Sequence, residues 1–204
     1  MARLEINDFQ ALNYKTLDDK KTLIIVVDMV KGFCEDGAMA DSAISSIASD
    51  IQNLLRKFSN HLYFKEWHEL GCKEFSSFPC HCLKDTKESE LLDCFQEDAK
   101  NHPVIHKNST NGFMAPDFIN HLDQYVMPYE HFVVTGCCTD ICVMQFCLSL
   151  MGYLSQHDLN KEIIVPLNSV DSYHIEGIHD VKQFNDIAIR IMANAGIKIV
   201  SKID

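Results

Sequence analysis

A thiol stands in the run Gly136-Cys137-Cys138-Thr139-Asp140-Ile141-Cys142, directly behind the apolar stretch His131 to Thr135 and ahead of a helical pattern. A cysteine at such a helix start lies near unpaired backbone N–H groups and the positive end of the helix dipole, and both favour the thiolate, the nucleophilic form. The same N–H groups suit an oxyanion on a carbonyl carbon attacked by sulfur. Two further residues close apolar runs in the same way: Asp28 after Leu23 to Val27, and Lys107 after Val104 to His106. An acid, a base and a thiol are the parts of a nucleophilic hydrolase. Each also has an ordinary role when taken singly: Cys142 as a small core residue, Asp28 as a cap, Lys107 as a solvated lysine.

Those residues need elements that hold them together. Leu23 to Val27 is rich in Ile and Val and reads as a fully buried strand of the parallel type. His61 to Phe64, Val104 to His106, His131 to Thr135, Ile163 to Val165 and Ile197 to Val200 read as further strands. Ile44, Ile47, Ile51, Leu54, Leu55 and Phe58 recur at helical spacing, predicting an amphipathic helix of about four turns, with Asp41 or Ser42 as its cap. Helical stretches are predicted at Pro116 to Tyr125, about Thr139 to Ser155, and Val181 to Asn194. The alternation predicts a three-layer α/β/α domain over residues 1–204, with a mostly parallel central sheet of about six strands. An irregular segment at about residues 66–102 carries four of the nine cysteines. In such sheets function gathers at the carboxyl ends of the strands, where Asp28, Glu66 to His68, Lys107 and the Gly136 to Cys142 turn all fall.

Composition narrows the partners. Eighteen Lys and Arg against twenty-nine Asp and Glu leave a formal net charge of −11, which argues against a nucleic-acid groove. The apolar runs are far shorter than the roughly 20 residues that span a bilayer, so no membrane is expected as a partner. The opening MARLEINDFQ has no apolar core of a secretory signal, and the nine cysteines are odd in number, so a reduced, cytoplasmic setting is expected.

The motif VVTGCCTDICV, with IIVVDMVKGFC upstream and VIHKNSTNGF between them, resembles the isochorismatase-like cysteine hydrolases over about Leu23 to Val200. The resemblance implies that family's Rossmann-like α/β fold and a triad of Asp28, Lys107 and Cys142. It also implies a non-proline cis peptide at Cys137–Cys138, which would aim the Cys138 N–H, with that of Cys142, at an oxyanion. Members with the cysteine cleave amides or related C–N bonds through a thioester. Within the irregular segment, FKEWHELGCKEFSSFPCHCLKDT resembles the nicotinamidase metal loop, implying Glu66, His68, Glu74 and His81 as ligands of one divalent ion. Such ligands suit Zn, Mn or Fe. Phe33 and Phe78 match aromatic walls of a flat substrate pocket. Two positions depart from the pattern: Glu66 stands where nicotinamidases usually have Asp, and Ile141 where some carry His. The implied reaction is nicotinamide to nicotinate and ammonia, a step of NAD salvage, with a small amide as partner and a homo-oligomer as a possible assembly. Alternatives remain open at this stage. Cys72, Cys80, His81 and Cys82 offer a structural zinc knot, the triad serves another small carbamoyl or ureido compound without metal, or Cys137, Cys138 and Cys142 form a non-catalytic thiol sensor.

Overall fold

The computed structural model describes residues 9–204, and its first strand, Thr22–Val27 (β1), has every side chain buried. A strand covered on both faces needs no polar alternation, which explains the unbroken apolar run. The chain continues through the single turn Lys31–Cys34 (α1), a 3₁₀ stretch Ser42–Ile47, the helix Ala48–Leu55 (α2) and the strand His61–Glu66 (β2). The helix Asp93–Ala99 (α3), the strand Val104–Lys107 (β3) and two short helices, Pro116–Ile119 (α4) and Leu122–Tyr125 (α5), follow. Next come His131–Cys137 (β4), a π-helical turn at Thr139–Val143, and Met144–Gln156 (α6). The described chain closes with Glu162–Pro166 (β5), Val170–Asp171 (β6), Val181–Asn194 (α7) and Lys198–Val200 (β7).

The strands form a seven-stranded sheet in the order β3-β2-β1-β4-β5-β7, with β6 paired beside β4, and every ladder between them is parallel. Successive residues of β1 point to opposite faces, as a strand requires. Leu23, Ile25 and Val27 join a core with Phe118, Phe146, Leu150, Ile189 and Met192, beneath α4, α6 and α7. Ile24 and Val26 join the other core with Ile51, Leu54 and Phe95, beneath α2 and α3. These are the three expected layers. Each fully buried Leu, Ile or Phe stabilises the fold by about 1.5–3 kcal/mol. Among the described residues, no helix is long and apolar enough to cross a membrane.

Local chemistry explains the departures from expectation. The helix expected from Ile44 begins as a 3₁₀ stretch capped by Asp41, whose side chain accepts from the Ala43 N–H. There the Ser45 hydroxyl bonds back to the Ser42 carbonyl at 2.6 Å, competing with α-helical pairing. The single helix expected over Pro116 to Tyr125 breaks into α4 and α5 at Asn120 and His121. Unforeseen are α3, in which Phe95 alone is buried, and the two-residue β6. Neither carries enough apolar residues to show a period.

The register sets the site. Val27 lies beside Phe64 on one side and Gly136 on the other, and Glu66 lies beside Lys107, so the carboxyl ends of β1, β2, β3 and β4 adjoin. Gly136 has φ +105°, and a Cβ there would stand 2.0 Å from the Val27 carbonyl oxygen. Only glycine permits this approach of β4 to the residue before Asp28. Gly136→Ala should therefore lower unfolding stability by about 3 kcal/mol or more, combining backbone strain and overpacking. Urea denaturation checks it; a midpoint equal to that of the wild type would contradict the close approach.

Candidate active site

Asp28 closes β1 in a left-handed backbone conformation, φ +52°, and is fully buried. Lys107 closes β3 and is buried beside it, its Nζ 2.8 Å from Asp28 Oδ2 and 3.7 Å from Cys142 Sγ. The same ammonium donates to Glu66 Oε1 and, at 3.1 Å, to the Ser109 carbonyl. A carboxylate oxygen of Asp28, one of Glu66 and the Cys142 sulfur all lie within 4.8 Å of one another. The three expected triad members therefore meet, and Glu66 meets them too.

The electrostatics follow from burial. Burial pushes the Asp28 carboxyl up to about 7; the Lys107 ammonium pulls it back and the Glu66 carboxylate adds to the rise. For Lys107, burial opposes the charge, but Asp28, Cys142 and Glu66 outweigh it and hold the ammonium well above the ordinary lysine range. Burial also drives the Cys142 thiol well above its usual range, against the pull of Lys107. This corrects the expectation of a thiolate favoured by the helix start. The turn holding Cys142 is π-helical with Thr139, Cys142 and Val143 buried, and desolvation exceeds what its backbone supplies. The resting sulfur is a thiol and needs a base. The Lys107 ammonium takes Asp28 Oδ2, and Oδ1 has no hydrogen-bond partner among the described residues, which leaves it open to receive a proton.

The peptide bond Cys137–Cys138 is cis, as the resemblance implied. The Cys138 carbonyl accepts from the N–H groups of Ile141 and Val143. Cys137 turns away from the pocket and donates its thiol proton to the Asp28 carbonyl at 3.1 Å.

Glu66 also opens a second cluster. Its Oε2 lies 2.8 Å from His68 Nε2, and Glu74 Oε1 lies 3.6 Å from His68 Nε2 and 3.7 Å from His81 Nε2. One donor atom from each of these four residues falls within 4.8 Å of the others. The far ring nitrogens are committed elsewhere: His68 Nδ1 to Asn108 Oδ1 at 3.0 Å, and His81 Nδ1 to the Pro79 carbonyl at 2.7 Å. Both partners only accept, so each Nδ1 carries hydrogen and each Nε2 turns toward the cluster, the arrangement that orients a metal ligand. Glu66 Oε2 and His68 Nε2 are buried without a well-formed hydrogen bond despite their closeness. Burial disfavours the His68 imidazolium, yet Glu66 and Glu74 hold its pKa up to about 10. The cluster thus draws in a positive charge, and two imidazole nitrogens with two carboxylates fit a divalent transition ion.

Phe33 and Phe78 line one narrow pocket with Glu66, Glu74, His81, Cys138, Ile141 and Cys142, as expected. Met39, Thr110 and Tyr173 line it too and were not foreseen. Thr110 belongs to the polar loop after β3, a position where strand ends gather function, so that signal was available. Asn108 in the same loop was likewise overlooked. Tyr173 follows β6, which showed no pattern. The zinc knot does not form: Cys80 is exposed, the buried Cys82 thiol faces the Glu88 carbonyl at 3.7 Å, and Cys72 Sγ sits 3.5 Å from His68 Nδ1. Consecutive residues around His81 face different ways and cannot wrap one ion.

Comparison with known proteins agrees with this geometry. The family model described as Isochorismatase domain matches residues 22–201. The chain is 26% identical over 214 residues to Nicotinamidase 1 of Arabidopsis thaliana, covering 91% of this chain and 87% of that protein. Its fold is similar to the pyrazinamidase of Pyrococcus horikoshii in complex with zinc, with TM-score 0.70 and 23% identity over 88% of this chain and 98% of the other. It is also similar to the N-carbamoylsarcosine amidase of Thermoplasma acidophilum, with TM-score 0.69 and 22% identity over 88% and 95% of the two chains.

The donor set leads to one expectation. Protein purified without a histidine tag should carry close to one transition-metal ion per chain, and His68→Ala and His81→Ala should each lose it. Elemental analysis decides this; metal-free wild type after incubation with Zn, Mn or Fe salts would contradict it.

Proposed function

Because the chain belongs to the isochorismatase-domain family, we propose that it is a cysteine amidohydrolase that cleaves a small carboxamide through a thioester, with nicotinamide to nicotinate and ammonia as the leading reaction. The observation that carries this reading is the burial of Asp28, Lys107 and Cys142 in mutual contact at the strand ends. A thiol sensor has no use for a buried carboxylate and ammonium beside its sulfur, whereas amide cleavage uses both.

In the proposed cycle Asp28 accepts the Cys142 proton, and the Lys107 charge stabilises the anions that result. The sulfur attacks the carboxamide carbon while the N–H groups of Cys138 and Cys142 hold the oxyanion. As the C–N bond breaks, protonated Asp28 returns its proton to the departing ammonia. The same carboxylate then takes a proton from water, whose oxygen displaces the sulfur and releases the acid, and Cys142 recovers its proton. An ion held by Glu66, His68, Glu74 and His81 would supply a Lewis-acid point for a substrate ring nitrogen and so fix the amide's orientation. Phe33 and Phe78 suit a flat ring in the same pocket. These two features favour nicotinamide over a ureido compound, for which the similarity to N-carbamoylsarcosine amidase speaks.

Ammonia release across a panel of small amides, nicotinamide included, tests the assignment. Cys142→Ala should lower kcat/KM by at least about a thousandfold, whereas Cys137→Ser should keep at least about a third, since serine can still donate to the Asp28 carbonyl. Near-normal turnover by Cys142→Ala would remove the nucleophile. Release from a ureido compound alone would replace nicotinamide.

The pH dependence has a defined sign. Asp28 works as a base only when ionised, and burial raises its pKa from the usual carboxylate range to about 7. The rate should therefore rise with pH through neutrality. A kcat/KM profile already flat from about pH 5 upward, where an ordinary carboxylate is ionised, would contradict Asp28 as the base.

A further inference from the structure

The loop between β6 and α7 is fastened to the nucleophile turn through one carboxylate. Asp140, two residues before Cys142, accepts from the Ser172 hydroxyl with Oδ1 and faces His179 Nε2 at 2.9 Å with Oδ2. The other ring nitrogen, His179 Nδ1, is 2.8 Å from the carbonyl of Tyr173. The imidazole is stacked between two rings, Tyr173 at 4.1 Å and Phe184 of α7 at 3.9 Å, with interplanar angles of 20° and 24°. A third tether is the His174 N–H, which donates to Asp41 Oδ2 at 3.0 Å.

Tyr173 packs against the core beneath α2 and α3, and the Ile175 and His179 backbones pair within the loop. Its aliphatic side chains face outward, Ile175 45% and Ile178 76% exposed, so they contribute almost no burial. His179 is buried instead, and its contacts replace a hydrophobic anchor. Tyr173 is the residue so held, and it lines the pocket that contains Cys138 and Cys142.

We infer that His179 is a positioning residue that, through Asp140, locks Tyr173 in place as a wall of the substrate pocket, making Tyr173 a determinant of which flat amides fit. The inference rests on the amidohydrolase reading of that pocket. Its physical content is preorganisation: a wall held in advance lowers the ordering cost of binding, without touching the reacting atoms. Loss of the latch should therefore appear in KM and leave kcat nearly unchanged.

The test uses the full-length protein with two readouts, steady-state hydrolysis of nicotinamide and hydrogen exchange of the amides of residues 172–178. His179→Ala should raise KM about tenfold, leave kcat within about threefold, and speed exchange of those amides. His179→Gln, which restores an N–H toward Asp140 but no stacked ring, should fall between wild type and His179→Ala, and it takes over both readouts if the alanine variant does not fold. The double variant His179→Ala, Tyr173→Ala should have a KM no higher than Tyr173→Ala alone, because both changes remove the same wall. Additive KM effects, or unchanged exchange in the His179 variants, would overturn the latch. If the wild type hydrolyses no amide in the panel, the amidohydrolase reading fails. Exchange then decides the latch alone: faster exchange supports it, and unchanged exchange overturns it.

Discussion

The Lys107 ammonium lies among two carboxylates and a thiol in a buried site, and the rest of the candidate site depends on it. Full burial pushes a proton onto Asp28, and the Lys107 ammonium in contact with it opposes that push. The same Nζ also donates to Glu66. The ion network explains why three strands must end in register, since the Glu66–Lys107 pairing across β2 and β3 and the neighbouring end of β1 bring the charges within reach. Burying such a network adds little net stability, but removing one member costs about 3–5 kcal/mol. The sheet therefore carries a cost that only the chemistry at its carboxyl edge makes sense of.

Glu66 links two functions that the sequence presents as separate. One oxygen receives Lys107 and the other lies against His68, so the proposed reaction centre and the proposed metal cluster share a carboxylate. A charge gained or lost in either place is felt in the other at a few ångströms, where low dielectric magnifies it. The pocket lies between them, walled by Phe33, Phe78 and Tyr173.

Much of this was legible in the chain, for identifiable reasons. Fully buried parallel strands write themselves as short Ile and Val runs, which is why β1, β4 and β5 could be placed to within a residue or two. The helix α7 matches the stretch predicted at Val181 to Asn194, and the structure adds Asp180 as its cap. The proposed triad and the proposed metal ligands were accessible through motif resemblance, but their meeting was not, since contact between residues as distant as 28, 107 and 142 depends on register. Three kinds of information stayed hidden. Short elements such as α3 and β6 bury too few residues to show a period. Orienting groups such as Asn108, and the Asp140–His179 pair, act through hydrogen bonds that composition does not reveal. The protonation of Cys142 followed from burial rather than from its position at a helix start, and burial is a property of the folded chain.

That the Lys107 ammonium holds down the pKa of the buried Asp28 carboxyl can be measured without any substrate. Metal-stripped wild type and Lys107→Met should be compared by urea denaturation between pH 5 and pH 8. Without the ammonium, the folded-state pKa of Asp28 must rise further above its unfolded value. The folded variant then binds more protons than its unfolded chain, and its stability increases as pH falls. Lys107→Met should be less stable than wild type by about 3–5 kcal/mol at pH 8, with the gap narrowing toward pH 5 as Asp28 becomes neutral in both proteins. A gap below about 1 kcal/mol, or one that does not change with pH, would contradict the account.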